Sequence, residues 1–138
     1  MAIRKTKPDN KPINFVIGLA IYPFDVMVSI SQSDAELGKS LDPYGKLPID
    51  EIEGCRYSSD TCKARYVMFS MGASLIRLRH LPTTPSDYGT LAHEIAHVSM
   101  CLMERIGMEL KCGVSDEAYT YLIGYLTESI YKRINQYY

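Results

Sequence analysis

Two segments in the second half of the chain carry apolar residues at helical spacing. Leu91, Ile95, Val98, Leu102 and Ile106 recur every three or four positions, and Ala92, Ala96, Met100, Met103 and Gly107 form a second row. A helix apolar on two sides is expected to be buried, which would hold the polar residues between the rows inside the protein. Thr84-Pro85-Ser86-Asp87 predicts where it starts, with Thr84 as N-cap, Pro85 at the first helical position and Asp87 three residues beyond the cap. The pattern predicts one helix over about residues 85–110 and a second over about 116–135. In the second, Tyr119, Leu122, Ile123, Leu126, Ile130 and Ile134 form the core stripe. Ser115 caps it, and Asp116 and Glu117 suit the positive end of its dipole. Gly124 on that helix reads either as a close approach of the two helices or as a plain packing position.

The first half has strand character. Residues 15–21 and 26–31 are β-rich runs around Tyr22-Pro23-Phe24-Asp25, a hairpin pattern, with Gly18 marking a bulge or close approach. Residues 65–71 and 74–80 form a second pair around Gly72, and the arginines of the last run, Arg77 and Arg79, mark a wet face or a partner-facing edge. Between the pairs, residues 32–62 have no sustained period and are punctuated by Gly38, Pro43, Gly45, Pro48 and Gly54. They read as a long irregular excursion with one short helix near 33–37, in the role of a lid or contact surface. Strands first and helices afterwards predict an α+β fold: a small twisted sheet, antiparallel or mixed, packed on two long C-terminal helices. The division is a polar arm over 1–14 and one domain over 15–138.

Composition narrows the function classes. With 138 residues, 46% of them apolar, and a net charge of −1, the chain reads as one soluble domain, with no suggestion of nucleic acid or an anionic membrane as partner. No apolar run reaches membrane-spanning length and no signal-peptide pattern follows the start, which predicts a cytoplasmic protein. The four cysteines form no C-x-x-C pair, so free thiols are expected, with Cys101 in the core. The arm over 1–14 is basic and nearly without apolar residues, so contact with another chain is expected to order it.

The chemistry concentrates in the first predicted helix, which contains His93-Glu94-Ile95-Ala96-His97. Side chains four apart lie on one helical face, so His93 and His97 can grip one metal ion together. Glu94 points beside that face, where a carboxylate can take a proton from water on the metal. This is the H-E-x-x-H pattern of zinc-dependent hydrolases, and its alternative is a core helix with two satisfied histidines.

His93, Glu94 and His97, followed twenty residues later by Glu117, resemble the gluzincins, the thermolysin-like metallopeptidases. The continuation Ser115-Asp116-Glu117-Ala118-Tyr119-Thr120-Tyr121-Leu122 is also similar to small zincin-like proteins encoded by tailed bacteriophages. Both resemblances cover about residues 84–134. They imply zinc held by His93, His97 and Glu117, with a sheet above the histidine helix and an edge strand bordering the cleft. Such a set leaves one position open for water, whose proton Glu94 would accept. Tyr88, Tyr121, Tyr125 and His80 are the candidate donors to a transition-state oxyanion. One departure is Tyr121, which stands where thermolysin-like enzymes carry an aspartate that supports a histidine ligand. The resemblance thus implies a phage-type zinc hydrolase acting on a peptide in the host cytoplasm. The alternative is a structural or assembly component of the virion, among other virion proteins, that keeps a zincin-like fold with a vestigial metal site or a structural one whose zinc only braces two helices.

Overall fold

The computed structural model describes residues 10–138; the expected contact of the N-terminal arm with another chain falls largely outside the described residues. Four strands form one mixed sheet: β1 (Ile13–Gly18), β2 (Asp25–Ile30), β3 (Ala64–Met68) and β4 (Ser74–Leu78), in the order β1-β2-β4-β3. Each half of the sheet is an antiparallel pair, and the two halves join through a parallel β2–β4 seam in which Val28 faces Ile76. The first strand begins at Ile13, a buried residue, so the arm is shorter than the composition predicts.

Period-two alternation gives the sheet two apolar faces. Phe15, Val28, Ile30, Ile76 and Leu78 meet Leu91, Ile95, Val98, Leu126 and Ile130, which belong to α3 (Pro85–Arg105) and α4 (Asp116–Ile134). On the other face Met27, Leu75 and Phe69 meet Leu37, Leu41 and Leu47. These last three come from the excursion, which holds more order than its composition predicts: α1 (Asp34–Leu41), a 3-10 turn over Asp42–Tyr44 and α2 (Ile49–Gly54). The fold is therefore α+β in three layers, with the excursion as the third.

Arg77 explains why that layer stays closed. β4 is an inner strand, so Arg77 is 2% exposed and marks neither a wet face nor an edge. Its Nη1 donates to the Cys55 carbonyl at 2.8 Å and meets the Asp34 carboxylate at 2.8 Å, and its Nη2 donates to the Gln32 carbonyl at 3.0 Å. Arg79 holds the later part of the excursion through the Cys62 carbonyl and, at 2.8 Å, the Ser59 carbonyl. The Tyr57 ring lies between the two guanidiniums, 4.4 and 4.1 Å from their central carbons.

The start of α3 follows the sequence pattern. The Thr84 hydroxyl accepts from the Asp87 amide at 3.2 Å, and the Asp87 carboxylate accepts from the Thr83 and Thr84 amides at 3.0 and 3.1 Å. Burial pushes the Asp87 carboxyl up, but these bonds and the nearby His80 outweigh it, so it titrates below its ordinary value. A depressed carboxyl stabilises the fold above its unfolded pKa of about 4 and stops doing so as pH falls through the folded value. Asp87→Ala is accordingly expected to cost about 1 kcal/mol at neutral pH. In urea titrations that difference should vanish in acid; a difference independent of pH would point to packing rather than capping.

The ends of the helices depart from expectation. α3 stops at Arg105, and Gly107 adopts a φ of 77° that closes it. The first apolar row is covered up to its end, with Leu91, Ile95, Val98 and Leu102 buried and Ile106 exposed, whereas of the second only Met103 is buried, and Ala92 and Met100 are exposed. Ser115 occupies the N-cap of α4 but its hydroxyl makes no capping bond; it accepts instead from the Lys111 amide at 2.9 Å and donates to the Glu109 carbonyl within the preceding turn. Gly124 faces open space, so no close helix approach depends on it.

Candidate metal centre

The uncovered side of α3 carries the histidines. One turn of helix sets His93 and His97 side by side, and their Nε2 atoms stand 3.0 Å apart. Two nitrogens bound to one tetrahedral zinc at 2.0–2.1 Å lie about 3.3 Å from each other, so the pair fits an ion after a small adjustment. His93 is exposed and His97 half-buried, in contrast to the enclosed position that two apolar rows would impose. Glu94 turns inward beside them and is 8% exposed. Burial raises its carboxyl above the ordinary value, partly offset by His93, His97 and Arg65.

These three residues form one wall of a cavity of about 540 Å³. The opposite wall is β3, an edge strand, with Arg65, Tyr66, Val67 and Met68, and the excursion closes one end through Gly54, Ser58 and Cys62. Alternation along β3 directs Ala64, Tyr66 and Met68 to the α3 side of the sheet. The Tyr66 ring stacks on the His97 imidazole, 4.5 Å between centroids and 11° between planes. Arg65 donates from Nε to the Gly54 carbonyl, and its charge reaches Glu94. The Cys62 thiol donates to the Ala64 carbonyl at 3.0 Å. Burial would push that thiol up, but hydrogen bonds from Ser58 and Ala64 and the charge of Arg79 bring it below its ordinary value.

Other expected site residues lie elsewhere. Glu117 is exposed in the first turn of α4, and among the described residues no three His, Cys, Asp or Glu side chains are gathered closely enough to hold one ion. Of the three expected ligands the structure thus brings together the two imidazoles. Tyr121 and Tyr125 line a separate apolar cavity with Leu19, Ile21 and Tyr22, and the Tyr125 hydroxyl donates to the Gly18 carbonyl at 2.9 Å. Tyr88 bonds the Tyr138 hydroxyl at 3.4 Å, and His80 Nδ1 lies 3.1 Å from the Leu81 carbonyl. None of these four borders the histidine cavity, whose polar lining comes instead from Arg65, Ser58 and Cys62. Cys101, one turn beyond His97, is half-buried, and all four cysteines are free thiols. Burial and Glu104 push the Cys101 thiol up, against weaker pulls from Arg105 and the Tyr66 hydroxyl.

No family model, curated protein or solved structure matches the chain. Among the described residues no helix is long and apolar enough to cross a membrane.

Proposed function

We propose that the chain is a zinc-dependent hydrolase acting on peptides, organised around His93, Glu94 and His97 in the manner of the H-E-x-x-H metallopeptidases. The observation that carries this reading is the convergence of two imidazole nitrogens, 3.0 Å apart, beside a buried carboxylate. A bound zinc ion supplies Lewis acidity and brings the pKa of the water it holds to about 7. Glu94 accepts a proton at its carboxylate from the attacking water and passes it to the leaving amine; burial raises its pKa above the ordinary value, which makes it a stronger base. Arg65 sets a fixed positive charge in the same cavity, available to an oxygen that becomes negative. The substrate class follows from β3: an extended peptide can pair with an edge strand and lie across the cavity. The protein would work in the cytoplasm, that of the host if a phage encodes it.

A second reading is a virion structural or assembly component in which an ion braces α3. It is favoured by the position of Glu117, which leaves two protein ligands where a zinc enzyme commonly has three.

Metal content of the purified chain tests the donor set. The wild-type protein is expected to retain one zinc ion, and His97→Ala to lose it. Glu117→Ala should keep its affinity within about threefold, since losing a side chain outside the site is close to neutral. Loss on Glu117→Ala as complete as on His97→Ala would show that α4 swings its carboxylate into the site. A wild-type chain without affinity for zinc would sink the hydrolase and leave the virion component with a vestigial site.

A further inference from the structure

Metal-ligating histidines ordinarily donate their second ring N–H to a carboxylate or carbonyl, which fixes the ring. This pair has no such support: among the described residues the side-chain hydrogen bonds of both imidazoles are with each other. The imidazole torsion is intrinsically broad, so an unsupported ring would sweep its Nε2 away from the shared point. We infer that Tyr66 is the positioning residue that aims His97 at the metal, by stacking in place of a hydrogen bond. The inference rests on the metal reading above and adds to it the group that pre-sets the donor geometry.

Three observations support the assignment. The two rings are nearly parallel, 11° apart at 4.5 Å, so His97 can turn only within its own plane without driving into the tyrosine. Tyr66 is itself held: its backbone pairs with Ile76 on β4, and its ring packs against the apolar core. His93 then meets His97 edge-on, at 73° and 4.6 Å, which directs the two Nε2 atoms to one place. Fixing a donor before the ion arrives removes an ordering cost from binding. Because Tyr66 touches the ligand rather than the reacting atoms, its contribution should appear in affinity and ring orientation.

Two variants isolate the stack. Tyr66→Phe keeps the ring and removes the hydroxyl; Tyr66→Leu keeps an apolar side chain on the sheet and removes the ring. Zinc and cobalt(II) affinities would be measured by chelator competition, with the cobalt absorption spectrum recorded. His97 ring-proton shifts in the metal-free protein would be read by NMR. Tyr66→Phe should bind within about threefold of wild type, and Tyr66→Leu about 10–100-fold more weakly, the range for losing a group that orients a ligand. The His97 ring protons should lose an upfield ring-current shift in the leucine variant alone. If wild type binds metal and Tyr66→Leu binds equally well, the positioning role is wrong while the metal site stands. If wild type binds neither ion, the metal reading fails and takes this inference with it. Weak binding by Tyr66→Phe with the His97 shift intact would assign the effect to the hydroxyl and likewise overturn the stack.

Discussion

Arg77→Ala is expected to lower stability by about 3 kcal/mol, mainly through unpaired carbonyls rather than a lost ion pair. The guanidinium is buried, but the Asp34 side chain is 61% exposed, so water screens their attraction. The carbonyls of Cys55, buried, and Gln32, partly buried, both accept from Arg77, and a carbonyl left buried and unpaired costs about 1–3 kcal/mol. Asp34→Ala should therefore cost less than about 1 kcal/mol, a surface-pair value. Urea denaturation of the two variants decides between the causes, and equal losses would mean that the ion pair carries the effect. Limited proteolysis adds a spatial readout. Without Arg77 the excursion loses its tie to β4 at two points, so cleavage between residues 42 and 62 should speed up before the sheet unfolds.

The same residue shows where a sequence stops being legible. Alternation in 74–78 reveals a strand and its two faces, but strand order is set by pairings between distant segments. A strand whose second face bears arginine looks half-exposed until the excursion folds over that face. The start of α3 was legible because capping is a local exchange among Thr83, Thr84 and Asp87. The convergence of His93 and His97 was legible for the same reason, since a separation of four on a helix fixes it. The exposure of that pair was not, because a second apolar row promises burial only if something packs on it, and here Met100 stays uncovered. Tyr66 and Arg65 were missed for want of any short-range signal. A strand residue becomes part of a site only when topology places that strand beside the helix. The candidate oxyanion donors failed in the reverse direction: Tyr121 and Tyr125 share a helix face with Glu117, and that face turns toward Leu19 and Tyr22 instead of the histidines.

Glu94→Gln is expected to lower peptide hydrolysis by about a hundredfold to ten-thousandfold while leaving zinc affinity nearly unchanged. The amide keeps the size of the side chain and removes only the proton acceptor. Stability supplies an independent check, because the sign of the change is fixed by the direction of the pKa. The folded value of Glu94 lies above the ordinary 4.5, chiefly through burial, so its ionised form is disfavoured in the fold. A group with a raised folded pKa adds its stability below the unfolded value and loses it as pH rises through the folded one. At pH above its ordinary value Glu94 therefore costs the metal-free wild type stability that Glu94→Gln does not lose, and at neutral pH the variant should melt at a higher temperature. The gap should close as pH is lowered below about 4.5, where both side chains are neutral. A variant less stable at pH 7 would mean that Glu94 is held ionised by the histidines and Arg65 as a structural ion pair. In that event, together with unchanged hydrolysis, Glu94 is no proton acceptor and the bracing role for the site is the one that stands.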